Sequence, residues 1–313
     1  MTAERVPHAD ALHAVLCDLF PDHAERLYRL CLRGSSAPLG IAHPRILLQL
    51  ASPAGGAEAF ADEDVFDSVT VGYMLICAYY FLLDAAVDGH LEFPDDSVYL
   101  TLLLTAAVLS LGKALGVTSE GRAGTVIERS VLRVSQNATA TLLERTASVE
   151  SREEQAALDR ACIIGRSNSF LLLYEILCTL TGNEIDPQVV ALLEDFIVTI
   201  QEADDLADWR EDFQEGRLTP FLRRVFFDIG TGRSEGELEE YLYLTGCYEK
   251  KIAELVHQVD ATRARAGQLG AARAAGLIRL LDEYRENLVD GLRVITKTKL
   301  DAYVAVPGAG RGT

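Results

Sequence analysis

Val69–Leu83 reads VTVGYMLICAYYFLL, and wound as an α-helix it is apolar on nearly every side. A helix with no polar face belongs inside a packed protein. Ser169–Leu180, SFLLLYEILCTL, has the same profile, so two inner helices are expected at the centre of one bundle. Around them, nine prolines in 313 residues and long windows without alternating β-branched residues leave no credible strand. Apolar spacing of three and four predicts helices over 9–33, 37–51, 62–90, 95–116, 119–148, 151–182, 187–214, 217–229, 236–266 and 268–300. The breaks are short, among them Gly182 before Asp186-Pro187 and Gly230-Thr231-Gly232, and none reads as an interdomain linker. The expected fold is all-α: a single-domain multi-helix bundle over residues 1–305 with a central apolar cavity, followed by a disordered tail, 306–313.

Composition narrows the function. Forty-seven acidic residues against 29 basic ones give a net charge of −18, which repels nucleic acid and anionic membrane surfaces. The two longest apolar runs, Val69–Leu83 and Val98–Gly112, fall short of the ~20 residues of a bilayer span, and MTAERVPHAD carries no secretory pattern. The expected setting is cytoplasmic, with no membrane span. Six scattered cysteines without a CxxC pair read as buried thiols in a reducing compartment. The sequence does not give the oligomeric state; a homodimer is one candidate.

The informative residues follow the apolar stretches. Asp84 continues the helical stripe of Phe66, Tyr73, Ile76 and Tyr80, and Asp88 extends it by one turn. A lone carboxylate on a core face costs several kcal/mol unless paired, protonated or bound to a cation, so positive charge is expected there. In QEADDLADWREDFQEGRLTP (201–220), Leu193, Ile197 and Ile200 lead into Asp204, Asp208 and Asp212, with Asp205 beside them. Two such ladders could face one another across a cavity, and hard oxygen donors in that number suit Mg²⁺, which in turn implies a phosphate or diphosphate ligand. Taken separately, the acidic run also reads as a solvated helix face and the Asp84/Asp88 pair as an exposed helix end. Their joint presence favours the metal reading.

The chain resembles the class I isoprenoid synthases, the all-α enzymes that include trans-prenyl diphosphate synthases, squalene and phytoene synthases, and class I terpene cyclases. Gln201-Glu202-Ala203-Asp204-Asp205-Leu206-Ala207-Asp208 is similar to the second aspartate-rich motif of the trans-prenyl synthases, and Gly216-Arg217-Leu218-Thr219-Pro220 to the stretch that follows it. Asp208 and Asp212 also match the DxxxD pair of squalene and phytoene synthases. The first motif, Asp84-Ala85-Ala86-Val87-Asp88, is DxxxD without the arginine pair of chain-elongating enzymes, and His43-Pro44-Arg45-Ile46 keeps one arginine of their isopentenyl diphosphate element. The likeness covers roughly residues 37–225.

The resemblance implies the isoprenoid synthase fold and a Mg²⁺-dependent reaction with two or three ions. The expected reaction is a terpene synthase's: an allylic prenyl diphosphate ionises, the carbocation cyclises or rearranges, and diphosphate leaves. Asp84, Asp88, Asp204 and Asp208 are the expected catalytic metal ligands, with Asp205 and Asp212 as further ligands. Arg166, Arg217, Arg45, Gln201 and Asn168 are expected on the diphosphate, and Tyr73, Ile76, Tyr80, Phe81 and Phe170 around the prenyl chain. A prenyltransferase coupling two prenyl diphosphates is the alternative. A non-catalytic or di-iron helical bundle is a lesser one, since only Glu254-Leu255-Val256-His257 fits a Glu-x-x-His element.

Overall fold

A computed structural model describes residues 9–35, 39–52, 63–88, 96–118, 122–146 and 151–305. The tail 306–313, together with Gly89 and His90, lies outside the described residues, as does the side chain of Asp88. The described chain is all-α, with fourteen helices and no strand. They are α1 (Ala9–Leu19), α2 (Ala24–Ser35), α3 (Leu39–Ala51), α4 (Glu63–Asp88), α5 (Asp96–Thr118), α6 (Arg122–Thr146), α7 (Arg152–Arg166) and α8 (Ser169–Thr181). There follow α9 (Pro187–Ala207), α10 (Trp209–Gln214), α11 (Pro220–Ile229), α12 (Glu235–Leu244), α13 (Cys247–Gln268) and α14 (Ala271–Ala305).

Four expected helices are each broken in two, and in each case a local backbone feature marks the break. Pro21, which has no N–H, lies between α1 and α2. Gly246 takes the left-handed conformation (φ 74°) between α12 and α13. Asn168 and Asp208 leave the helical region at φ −73°, ψ 0° and φ −98°, ψ 9°, separating α7 from α8 and α9 from α10. The first of these two breaks turns the chain by 54°.

Contacts divide the chain into two compact units where one bundle was expected. Unit 1 is Met1–Ser148, Arg160–Leu193 and Ala272–Ala274; unit 2 is Val149–Asp159, Glu194–Ala271 and Ala275–Thr313. In unit 1, α4 packs along α5 and α2, while α8 packs against α3 and α6. Ten of the thirteen residues of α8 are buried, as its all-round apolar sequence requires. Asp64–Val87 of α4 is long and apolar enough to cross a bilayer, but 61% of that window is buried inside the protein, the profile of a core helix. In unit 2, Trp209, Phe221, Leu222, Leu238, Leu242, Ile252 and Leu255 form the core that joins α10–α13. Each such side chain, withdrawn from water, contributes about 1.5–3 kcal/mol.

The cysteines are free thiols. Cys31, Cys162 and Cys178 are buried, Cys77 and Cys247 partly so, whereas Cys17 is exposed against expectation because it lies on the outer face of the short helix α1. Burial pushes the thiols of Cys31 and Cys77 up to about 12 and about 11, which keeps both protonated and inert.

Candidate functional site

In unit 1 the stripe on α4 is buried at Phe66, Tyr73, Ile76 and Tyr80 and emerges at Asp84, whose side chain is 45% exposed. The expected positive charge is Arg166, at the end of α7, with Nη1 3.9 Å from Asp84 Oδ1. That separation is an electrostatic contact and too long for a hydrogen bond. With Asp84 half in solvent, it contributes at most about 1 kcal/mol.

Arg166 is placed by its backbone. Gly165 brings α7 so close to α6 that a Cβ there would stand 2.5 Å from the Cβ of Ala140. At this distance Asn137 Nδ2 donates to the Arg166 carbonyl at 2.6 Å. Two residues on, Asn168 is fully buried. Its Oδ1 accepts from Tyr80 Oη at 2.7 Å and its Nδ2 donates to the Arg133 carbonyl at 2.8 Å. Asn168 therefore ties the α7–α8 break to α4 and α6, and its amide is not turned to a ligand as expected. Beneath it, Arg133 pairs with Glu175, the one acid in the apolar run of α8, and both are largely buried.

Among the expected pocket residues, Tyr73, Ile76 and Tyr80 are buried and Phe170 is partly buried. Phe81 is 47% exposed, since one residue further along α4 turns the side chain about 100° off the interior stripe. Burial holds the phenols of Tyr73 and Tyr80 well above their ordinary range, so both stay neutral. Arg45 is exposed on α3, with its guanidinium 5.7 Å from the ring centre of Phe66. Its contact is with an aromatic face.

In unit 2 the aspartate ladder survives the helix break. Asp208 N donates to Asp204 O at 2.9 Å and Asp212 N to Asp208 O at 3.0 Å, so the three residues remain one turn apart across the α9–α10 junction. Their burial differs from the expected core-facing row. Asp204 and Asp208 are exposed, whereas Asp212 and the flanking Asp205 are buried. Directly after the break at Asp208, Trp209 is buried in the unit 2 core. Gln201 Nε2 donates to Asp205 Oδ1 at 3.1 Å, occupying the Gln201 amide within its own helix.

The GRLTP segment returns a cation to this ladder. Gly216 (φ 71°) adopts the left-handed conformation that closes α10, with Gly216 N donating to Phe213 O at 3.1 Å and Arg217 N to Asp212 O at 2.8 Å. The turn carries Arg217 Nη2 back to 3.2 Å from Asp212 Oδ1 and 2.8 Å from Glu215 Oε2. Arg210 points elsewhere, pairing with Glu235 and Glu239 of α12. Arg217 does not balance the cluster. Burial, with the charges of Asp208, Asp204 and Glu211 adding to it, pushes the Asp212 carboxyl up to about 6 despite the arginine. Tyr284 and Tyr248 adjoin the ladder: burial first, then the charge of Asp204 on Tyr284, and for Tyr248 the nearby Tyr243 and Asp208, push each phenol up to about 12.

Among the described residues no three His, Cys, Asp or Glu side chains gather closely enough to form a ready metal cage. The carboxylates of Asp204 and Asp208 are hard oxygen donors open to solvent, the donor type that a divalent cation such as Mg²⁺ takes. Sequence reasoning missed Arg133, Asn137, Tyr248, Tyr284 and the pairing of Glu202 with Lys251. Of these, Arg133 could have been sought through its partner Glu175, a lone acid in an otherwise apolar helix. No protein-family model matches the chain, and no curated protein matches it.

Proposed function

We propose that this protein is a Mg²⁺-dependent terpene synthase of the class I isoprenoid synthase type, which ionises an allylic prenyl diphosphate, cyclises or rearranges the carbocation and releases diphosphate. The observation that carries the reading is the acidic stack of unit 2, in which Asp204, Asp208 and Asp212 stand one turn apart and burial, reinforced by the charges of Asp208 and Asp204, raises the Asp212 carboxyl even with Arg217 at 3.2 Å. Asp204, Asp208 and Asp212, with Asp205, would hold Mg²⁺ in unit 2, as Asp84 and Asp88 would in unit 1. Bound Mg²⁺ supplies Lewis-acid stabilisation of the leaving diphosphate oxygens.

The protein's own groups do the rest. Arg217 and Arg166 offer N–H donors to phosphate oxygens, each already leaning on a carboxylate that a metal would take over. Tyr73, Ile76 and Tyr80 supply buried surface next to Asp84 that excludes water from a prenyl chain and presents neutral rings to a cation.

Incubation of the purified protein with Mg²⁺ and single prenyl diphosphates, from geranyl to geranylfarnesyl, tests the reading through diphosphate release and product analysis. A hydrocarbon or alcohol from one substrate is the expected result. Turnover only with a second diphosphate makes the protein a coupling prenyltransferase, and no release from any of the series sinks both.

A further inference from the structure

Unit 2 has a recess, built from residues outside the aspartate ladder, where the first turn of α7 meets α11 and α13. Its volume is ≈ 320 Å³, at the small end of the roughly 300–1,000 Å³ typical of small-molecule sites. The floor is apolar, with Phe221 and Val225 buried, and the exposed ring of Phe227 forms part of the wall. Around it stand Arg152, Arg224, Lys250 and Lys251 against Asp228, Glu254 and Glu202, the last of which holds both Arg224 and Lys251, so positive charges exceed negative ones by one in a chain of net charge −18.

The cations are paired but not used up. Arg152 Nη2 donates to Asp228. Arg224 gives Nη2 to Glu202 at 2.7 Å and Nε to the Pro220 carbonyl at 3.2 Å. Lys251, only 6% exposed, gives Nζ to the other oxygen of Glu202 at 2.8 Å. An arginine carries five N–H donors and a lysine three, so each keeps donors beyond these bonds. Lys250 stands exposed at the rim. Lys250 adds a fourth cation beside these three paired ones, and an anion there gains its attraction while its apolar part covers the phenyl rings.

We propose that this recess binds a small organic phosphate monoester, its phosphate among Arg152, Arg224, Lys250 and Lys251 and its apolar body against Phe221 and Phe227. A phosphate monoester carries about −1.5 to −2 charges at neutral pH, enough to offset the excess, and the arginine fork suits its oxygens. The site does not depend on whether the aspartates bind Mg²⁺.

The test is calorimetric titration of the full chain in EDTA with phenyl phosphate as the probe. One saturable site is expected, about ten-fold or more tighter than for inorganic phosphate. Lys250→Glu, a rim change that breaks none of the ion pairs above, and Ala156→Trp, which fills the recess from an exposed position, are each expected to weaken binding about ten-fold or more. Asp208→Asn is expected to leave it unchanged. No saturation by about 10 mM overturns the proposal. So does equal affinity for inorganic phosphate, equal binding by the two recess variants, or loss of binding in Asp208→Asn.

Discussion

Replacing Gly165 by alanine should destabilise the protein although the same change elsewhere in a helix stabilises it. At an open helical position Gly→Ala gains about 0.5–1 kcal/mol, because alanine loses less backbone entropy. Gly112 of α5 is such a position, with nothing within 4 Å of an added Cβ. At Gly165 the new methyl would lie 2.5 Å from the Cβ of Ala140 and 3.4 Å from the carbonyl oxygen of Gln136. Carbon atoms pack at about 3.5–4.0 Å, so α6 and α7 must separate by about 1 Å. Overpacking of that kind costs about 1–3 kcal/mol. Loosening the 2.6 Å bond from Asn137 to the Arg166 carbonyl adds about 1 kcal/mol. The cost exceeds the propensity gain, leaving a net loss of about 1–3 kcal/mol, or roughly 2–6 °C in Tm for a chain of this size. Both glycines belong to unit 1, so one calorimetric transition reports on both, with Gly112→Ala raising Tm by about 1–2 °C. A Gly165→Ala protein as stable as the wild type would show that α6 and α7 are not in the close contact from which the placement of Arg166 is argued.

Other outcomes follow from the same geometry. Asp208→Asn should lower diphosphate release by about a hundred-fold or more, the loss of several kcal/mol of charge stabilisation, with far-ultraviolet dichroism unchanged because the residue is exposed. Tyr80→Phe withdraws the donor from the fully buried Asn168 Oδ1 and should cost about 1–3 kcal/mol in denaturant unfolding; no change would mean that the bond is not made. Glu202→Gln leaves Lys251 charged and buried without its carboxylate and should cost about 3–5 kcal/mol, much of it recovered when Lys251→Met is added. For Asp186, burial opposes ionisation, but the Gln188 N–H and the charged hydrogen bond from Arg273 at 2.9 Å outweigh it and hold the carboxyl below its ordinary range. The stability it supplies is complete above about pH 4 and is lost as the pH falls through its lowered folded value. Asp186→Asn should therefore flatten the acid limb of the stability curve, and an unchanged limb would remove Asp186 from the account.

Properties that helical geometry makes local were legible in the amino-acid order. The all-round apolar runs at 69–83 and 169–180 specified buried helices, and the four-residue spacing of Asp204, Asp208 and Asp212 survived even the break at Asp208, because the i→i−4 bonds that set it are made within the segment. Gly216 likewise returned Arg217 to Asp212 through bonds a few residues long. Which of these groups water reaches, and which partner each one meets, came instead from long-range packing. Asp205 and Asp212 are buried and Asp204 and Asp208 exposed, while Trp209 joins a core made largely by α11–α13. Arg133 met Glu175, Asn137 met Arg166, and Glu202 met Lys251 across 42, 29 and 49 residues of chain. Periodicity fixes the face of a helix on which a residue stands, but not what packs against that face. Burial and charge pairing, from which the chemistry of both sites is argued, depend on that packing.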